Sequence, residues 1–467
     1  MTYKEFVIFN MVNKNKQSWL ILSHGFNMDG RAASQTITDK IPYFLDAGIK
    51  LQVFSAITGV KDNRFPHKQL IAWGPSAFRF DFRHWMANRY GRDLLYKVFT
   101  PLVSVLAIPF IALEKVIFGY SSQWSWAFPV FFHGVSLVRS GKVNVVYSTG
   151  GAWSAHLAAL WIRKLTGVLW VAEIHDPLVM RSNPSDLGLK SPKNRDARFR
   201  HWLEKQICRH ANLAWWFTDG ALHYASLRNP NLNHDKSAVG IVVVPGSASP
   251  DRGMLEADLI NSDATSKLNH EKGEYLNISH FGSLSNTRSI SIVLNAFSSL
   301  LRVNPDAKDK IKLHIYGADI DVLAKDSIKR YGFESMVIAH GRIEKDPLTR
   351  KSGREQILEK MQNADVLLLL HGNDEWCAEY IPSKAYEYFW THRPIWAITH
   401  RNQQLDHMLN ERNAYISHAD NEKSIEDMIN KIWLDWRDDK LCQPNWLPIG
   451  VDQASKKIML AIASTTH

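Results

Sequence analysis

Eleven residues, Ala378-Glu-Tyr-Ile-Pro-Ser-Lys-Ala-Tyr-Glu-Tyr388, set two carboxylates and a lysine at a spacing that could grip a phosphorylated ligand. The pattern predicts a loop ending at Glu379, Pro382 at the first helical position, and a helix running to about Trp390. Lys384 then lies in the first turn and Glu387 in the second. A helix start with an adjacent lysine suits a diphosphate, because unsatisfied backbone N–H groups and a cation face the same anion. Glu387, about one turn further on, is placed to accept hydrogen bonds from a ribose diol. Glu379 is placed to contact the group beyond the phosphates. The same spacing also fits an ordinary amphipathic helix with a charged first turn.

Two more segments offer matching chemistry. In Phe281-Gly-Ser-Leu-Ser-Asn-Thr-Arg288, Gly282 permits close backbone approach and Arg288 opens a helix as a second phosphate clamp. In His340-Gly-Arg-Ile343, the turn at Gly341 and Arg342 has backbone that could read a base edge. Asp319-Ile-Asp321 is a DxD that could hold a metal, but aspartate at a helix start is equally expected from capping. The 20 histidines form no HExxH spacing, so no protein metal site is expected. Ser23-His-Gly-Phe26 resembles a hydrolase oxyanion segment, yet Ser148-Thr-Gly-Gly-Ala-Trp-Ser154 is not the G-x-S-x-G elbow such an enzyme needs.

These segments sit in alternating strands and helices. Strands are predicted at 18–23, 50–54, 143–147, 169–174 and 213–217, with helices at about 32–47, 153–165 and 199–210. A second run has strands at 275–280, 312–316, 336–339, 365–370, 394–398 and 414–416. Residues 60–135 read as irregular and aromatic, and 182–198 as a long exposed loop. Two alternating runs split near 235–245 predict two α/β, doubly wound domains. Ligands of such sheets sit outside the carboxyl ends of strands, which is where all the segments above fall.

The chain has 467 residues, 45% hydrophobic and 22% charged, which is globular composition. Three cysteines without a CxxC exclude a disulfide scaffold and fit a reducing compartment. Residues 1–250 hold 29 Lys+Arg and 15 Asp+Glu, whereas 251–467 hold 27 and 31. A basic first half points to an anionic partner. Its charge is spread without a basic helix or an RNA-binding signature, so nucleic acid is not the expected partner. The N-terminus lacks the order of a signal peptide. The longest uncharged apolar stretch, Val98 to Leu113, spans 16 residues and contains Pro101 and Pro109, which is short of the ~20 that a spanning helix needs. It reads either as a buried helix pair or as an apolar surface in the lipid–water interface, where the aromatics of 116–132 also belong.

Taken together, Gly282-Ser-Leu…Arg288, His340-Gly-Arg, Ala364-Asp-Val and Glu379-x7-Glu387 followed by Arg393-Pro394 resemble the donor domain of GT-B glycosyltransferases. The likeness is nearest to family 4, bacterial enzymes of cell-surface polysaccharide synthesis. It is looser in the first half, through Val143-Asn-Val-Val-Tyr-Ser-Thr-Gly150 and Trp170-Val-Ala-Glu-Ile-His-Asp-Pro177. The resemblance implies an α/β chain of two doubly wound, Rossmann-like domains facing across a cleft. These are an acceptor-binding domain over 1–237 with an apolar, aromatic insertion at 98–133, and a nucleotide-sugar domain over 238–445. A tail over 446–467 is positioned to cross back to the first.

The resemblance further implies that Glu387 binds the ribose, Glu379 meets the sugar near the reacting centre, and Arg288 and Lys384 hold the diphosphate. Gly282, Gly341 and Arg342 join the donor site. His175 or Asp176 contacts the donor sugar or acceptor, and Gly25 to Gly30 form a glycine-rich loop near phosphate and acceptor. It implies retention, no metal or other cofactor, a nucleotide-sugar donor and a saccharide or lipid-linked acceptor. The place of work would be the cytoplasm, with an anionic membrane surface as a further partner. Ser283 stands where many relatives carry arginine, and Tyr380-Ile381-Pro382 where they carry a glycine-rich turn. Two alternatives remain: a non-catalytic nucleic-acid or membrane binder, and an epimerase of the same fold.

Overall fold

The computed structural model describes residues 17–465 apart from 29–30, 92, 121–122, 182–186, 190–191, 251–272, 318, 345, 347 and 350. Two compact units divide the chain: Met1–Pro245 with Val451–His467, and Gly246–Gly450.

The first unit runs β1 (Ser18–Leu22), α1 (Ala32–Thr38), α2 (Ile41–Asp46), β2 (Lys50–Ser55), β3 (His67–Gln69), α3 (Pro75–Tyr90), α4 (Leu94–Ile117), α5 (Ala127–Arg139) and β4 (Val145–Thr149). It continues with α6 (Ser154–Thr166), β5 (Leu169–Ile174), α7 (Arg195–His210), β6 (Leu213–Trp216), α8 (Asp219–Arg228) and β7 (Val239–Val242). Its seven strands are parallel in the order β3-β2-β1-β4-β5-β6-β7. Alternate residues of β1 enter opposite cores: Trp19 and Ile21 join Ile37, Phe44 and Val53, while Leu20 and Leu22 join Val146 and Leu160. A parallel strand covered on both faces must be apolar on both, which is why β1 reads as an unbroken apolar run.

The second unit holds β8 (Leu276–Gly282), α9 (Ser291–Val303), β9 (Ile311–Gly317), α10 (Val322–Tyr331), β10 (Val337–Gly341), α11 (Gly353–Gln362) and β11 (Val366–Leu370). It ends with α12 (Ser383–Tyr388), β12 (Ile395–Thr399), α13 (Gln403–Glu411), β13 (Tyr415–His418) and α14 (Glu422–Arg437). The strands are parallel in the order β10-β9-β8-β11-β12-β13. The last helix, α15 (Val451–Thr465), belongs to the first unit and buries Ala454, Ile458 and Ile462 beside Trp19, Phe44 and Trp215.

Four details differ from the sequence expectation. The boundary falls after Pro245 rather than at 237, because β7 extends the first sheet through the Leu213–Val239 register. The single helix expected over 32–47 is two, since Pro42 opens α2 and Lys40 sits buried at the break. Residues 60–135 are largely helical rather than irregular. Finally, 94–117 is one continuous helix through Pro101 and Pro109, not a buried pair. Of the described helices, α4 is the one long and apolar enough to cross a membrane, and it is almost entirely exposed.

Ile458→Ala should remove a buried side chain shared by α15 and the first sheet and cost about 2–5 kcal/mol. Calorimetry should show the first unit melting earlier although the substitution lies at the far end of the chain.

Candidate functional site

Each sheet has one point where the strand order reverses: β1 between β2 and β4, and β8 between β9 and β11. The backbone beyond those strand ends is the natural ligand position.

In the second unit, β8 ends at Gly282 with φ 151°, and a Cβ on the neighbouring Gly317 would lie 2.4 Å from the Gly282 carbonyl oxygen. Gly317 is therefore a packing requirement of this turn, and Gly282 a requirement of its backbone angle. Arg288 follows it. Its guanidinium donates to the Tyr380 hydroxyl at 2.8 Å and to the His371 carbonyl at 3.3 Å. The Tyr380 hydroxyl in turn donates to that same carbonyl. The Asn402 amide holds the Cys377 and Tyr380 carbonyls, each at 2.8 Å. The 371–380 loop is thus fixed to the β8 loop, and Arg288 is held in place by its partners rather than extended into solvent.

Lys384 and Glu387 form an ion pair at 2.6 Å on α12. This helix has six residues, with Pro382 at its N-cap, and stops short of Trp390. A helix this short offers little of the end dipole that the sequence reading expected of it. Glu387 also lines a cavity of about 330 Å³ with Arg354, Glu355, Ser247 and Trp390. Glu379 is buried at the end of the short 3-10 turn Glu375–Glu379. Gly341 and Arg342 lie at the sheet edge, two strands from β8. A ring stack bridges that distance: Phe281 on Tyr316 at 4.7 Å, and Tyr316 on His340 at 4.2 Å.

His280 is the residue the sequence reading missed. It is buried on β8, with Nδ1 donating to the Leu368 carbonyl at 3.1 Å. Burial, with Arg288 and Lys384 adding to it, lowers its pKa to about 4, so it is neutral. Nε2, left without a hydrogen-bond partner, lies 3.6 Å from where a Cβ on Gly282 would be. A buried lone pair therefore faces the Gly282 turn, within the electrostatic reach of Arg288 and Lys384. The one signal in the sequence is a histidine interrupting an apolar strand end. Asp321 accepts from the Ala324 N–H at 3.0 Å and the Ser289 hydroxyl at 2.7 Å, the capping role. Among the described residues no group of three or more His, Cys, Asp or Glu side chains could hold a metal.

In the first unit a buried charge cluster lies on β4 and β5, beside the reversal point. Glu173, on β5, is fully buried and accepts from Lys40 at 2.7 Å and from the Tyr147 hydroxyl. His175 Nε2 lies 2.8 Å from the same carboxylate and 3.0 Å from the Thr149 hydroxyl. Burial pushes the Glu173 carboxyl up, but Lys40 and His175 outweigh it and hold it down at about 2. The His175 ring stacks on Phe217 at 4.9 Å, and a Cβ on Gly150 would lie 2.6 Å from it. His175 is thus a locked, nearly buried side chain, while Asp176 is exposed beside it. Gly25 sits in the turn after β1, next to His24, whose Nε2 lies 3.1 Å from the buried Asp81. Gly30 lies outside the described residues.

No protein-family profile and no curated protein matches the chain. Solved structures do. An α,α-trehalose-phosphate synthase (UDP-forming) from Burkholderia vietnamiensis superimposes with a TM-score of 0.57 at 11% identity, covering 97% of each chain. A trehalose-6-phosphate synthase studied for glycosyl transfer with retention, using bisubstrate glycomimetics, gives 0.56 at 11% identity over 95% of each chain. WaaG, a glycosyltransferase involved in lipopolysaccharide biosynthesis, gives 0.50 at 11% identity, covering 96% of this chain and 95% of that one. These neighbours are GT-B glycosyltransferases, and the chain shares their α/β fold of two parallel sheets along nearly its whole length.

Glu173→Ala should strand Lys40 in the core and destabilise the first unit by about 3–5 kcal/mol, read as a shifted denaturant midpoint. His280 predicts a pH effect. Its folded pKa lies below the unfolded 6.5, so stability is full above pH 6.5 and falls on acidification toward about pH 4. His280→Asn keeps a donor for the Leu368 carbonyl. Its loss of stability between pH 7 and 4.5 should be smaller than that of wild type by about 2–3 kcal/mol.

Proposed function

We propose that the chain is a glycosyltransferase. It would move a sugar from a nucleoside-diphosphate sugar, held by the second unit, to a saccharide or lipid-linked acceptor in cell-surface polysaccharide synthesis. The observation that carries this reading is the convergence of Arg288, Lys384 and the Gly282 turn at the reversal point of the second sheet. There both cations act on one buried histidine, and Glu387 opens onto a cavity of nucleoside size. The shared fold supports it, as does the resemblance to family 4.

In this reading, the bond from the anomeric carbon to the diphosphate breaks as the acceptor oxygen attacks from the same face. The acceptor's proton passes to the departing phosphate oxygen, so configuration is retained and no strong protein base is needed. Negative charge grows on the diphosphate. Arg288, pre-oriented by Tyr380, and Lys384 stabilise it, as does backbone at Gly282. Lys384 shifts its charge from Glu387 toward the phosphates, which leaves the Glu387 carboxylate to accept from the ribose hydroxyls. His280 Nε2 offers an acceptor to a donor hydroxyl. Gly341 and Arg342 serve the base, Glu379 the sugar, and His175, Asp176 and the Gly25–Gly30 loop the acceptor side. The leaving charge is met by protein cations, so the reading calls for no resident metal or cofactor, and it places the enzyme in the cytoplasm.

A thermal-shift panel of UDP-, GDP-, ADP- and CMP-sugars should show stabilisation by one nucleotide class, and stabilisation by none would refute the assignment. Glu387→Ala should weaken that binding at least tenfold, and unchanged affinity would remove the ribose role. Lys384→Ala should lower kcat/KM about 10²- to 10³-fold, some 2.7–4 kcal/mol of barrier. It should leave the melting temperature nearly unchanged, because partly exposed helical ion pairs contribute little stability. Glu379→Ala should lower kcat more than it raises KM.

A further inference from the structure

The α3–α4 hairpin has no role in the reading above, and its surface is unlike the rest of the chain. Helices α3 and α4 are joined by the short segment 91–93. Glu114, near the end of α4, accepts from the Ser76 N–H at 2.9 Å near the start of α3, so the two run antiparallel. The Trp124 indole donates to the same carboxylate at 2.6 Å, and His24 contacts Asp81 of α3 at 3.1 Å. The hairpin is therefore bolted to the first unit through its buried acids.

On α4, the less exposed positions are 96, 100, 103, 104, 107, 111 and 114, a heptad-like stripe. Everything else faces outward. Leu94, Val105, Leu106, Phe110 and Val116 are 62–74% exposed, and between Lys97 and Glu114 no charge interrupts the helix. At about 100° per residue these apolar side chains cover more than half of the helix circumference. A second copy docking along one seam would leave most of that arc wet, whereas a lipid phase covers all of it.

The charges choose the lipid. The exposed charged side chains described between Pro75 and Phe118 are Arg79, Arg83, Arg89, Lys97 and Lys115, against Asp93 alone. Lys97 and Lys115 are 18 residues apart, about five turns, so both lie on one flank of the apolar arc. Where α4 ends, a cavity of about 610 Å³ is lined by Phe118, Tyr120, Arg195, Arg198 and Trp202. Arg195 there donates to the Val116 carbonyl at 2.9 Å. Aromatic and basic side chains at an apolar boundary are the composition of a membrane interface.

We propose that the α3–α4 hairpin docks the protein on an anionic bilayer surface. In this arrangement α4 lies in the membrane plane with its apolar arc among the acyl chains, and the arginines and lysines flanking it lie among lipid phosphates. The helix does not span, because α3 is packed along it. Spanning would draw the exposed Arg79 and Arg83 through the hydrocarbon, where a guanidinium is strongly disfavoured.

The test uses the full chain and vesicles of phosphatidylcholine with 30% phosphatidylglycerol (a chosen composition, about one anionic lipid in three). The protein should float with these vesicles and at least tenfold less with phosphatidylcholine alone. Val105→Asp with Leu106→Asp should abolish flotation while leaving the melting temperature unchanged, since neither side chain supports the core. Arg79→Gln with Arg83→Gln should weaken flotation and its salt dependence. Absent flotation, or flotation indifferent to the aspartates, would overturn the proposal. So would a concentration-dependent dimer that the aspartates dissociate in the absence of vesicle binding. Resistance to alkaline carbonate extraction from membranes would overturn the in-plane arrangement. None of these outcomes depends on the glycosyltransferase reading, which the donor panel decides separately.

Discussion

A parallel sheet covered by helices on both faces leaves a ligand very few places to sit. Its strands are apolar throughout, its flanking helices are spent on the two cores, and only the backbone beyond the strand ends stays open. In this chain that constraint operates twice. It brings Gly282, Arg288 and the 371–387 segment together at the end of β8 and β11, and His24, Thr149 and His175 to the ends of β1, β4 and β5. Residues almost a hundred positions apart, such as Arg288 and Tyr380, bond because two neighbouring strands end side by side.

The polar groups at these two places are managed in different ways. Lys40, Tyr147 and His175 converge on Glu173 in the dry interior, where the charges must satisfy one another and an incomplete set is costly. The cluster is a rigid support, and it fixes the His175 ring against Phe217. In the second unit the cations are partly exposed, and their partners are Glu387 for Lys384 and a tyrosine hydroxyl for Arg288. Such partners orient a side chain without sealing it from solvent. His280 records the difference, since burial keeps it neutral beside two positive groups.

The hairpin obeys a third logic. Two of its three acids are turned inward, Asp81 to His24 and Glu114 to the start of α3, so the outward surface is left mainly apolar and basic. Nothing in the packing of the first unit requires Leu106 or Phe110 to be apolar, because neither touches a core.

The alternation of apolar strands and helices was legible in the residues, and with it the two α/β sheets, because a strand buried on both faces has no other composition available. The glycine of the β8 turn could be picked out as well, because its backbone takes a φ of 151° that a side chain rarely tolerates. The β7 strand could not, since Val239–Val242 is too short to announce itself and exists by pairing with β6. Nor could the buried Lys40–Glu173 pair or the acceptor on His280, each of which depends on a partner distant in the chain. The apolar run at 98–113 was visible as composition alone. Whether it packs inside or faces out is settled by which neighbours fold against it, and among the described residues α3 is the helix that does so along its length.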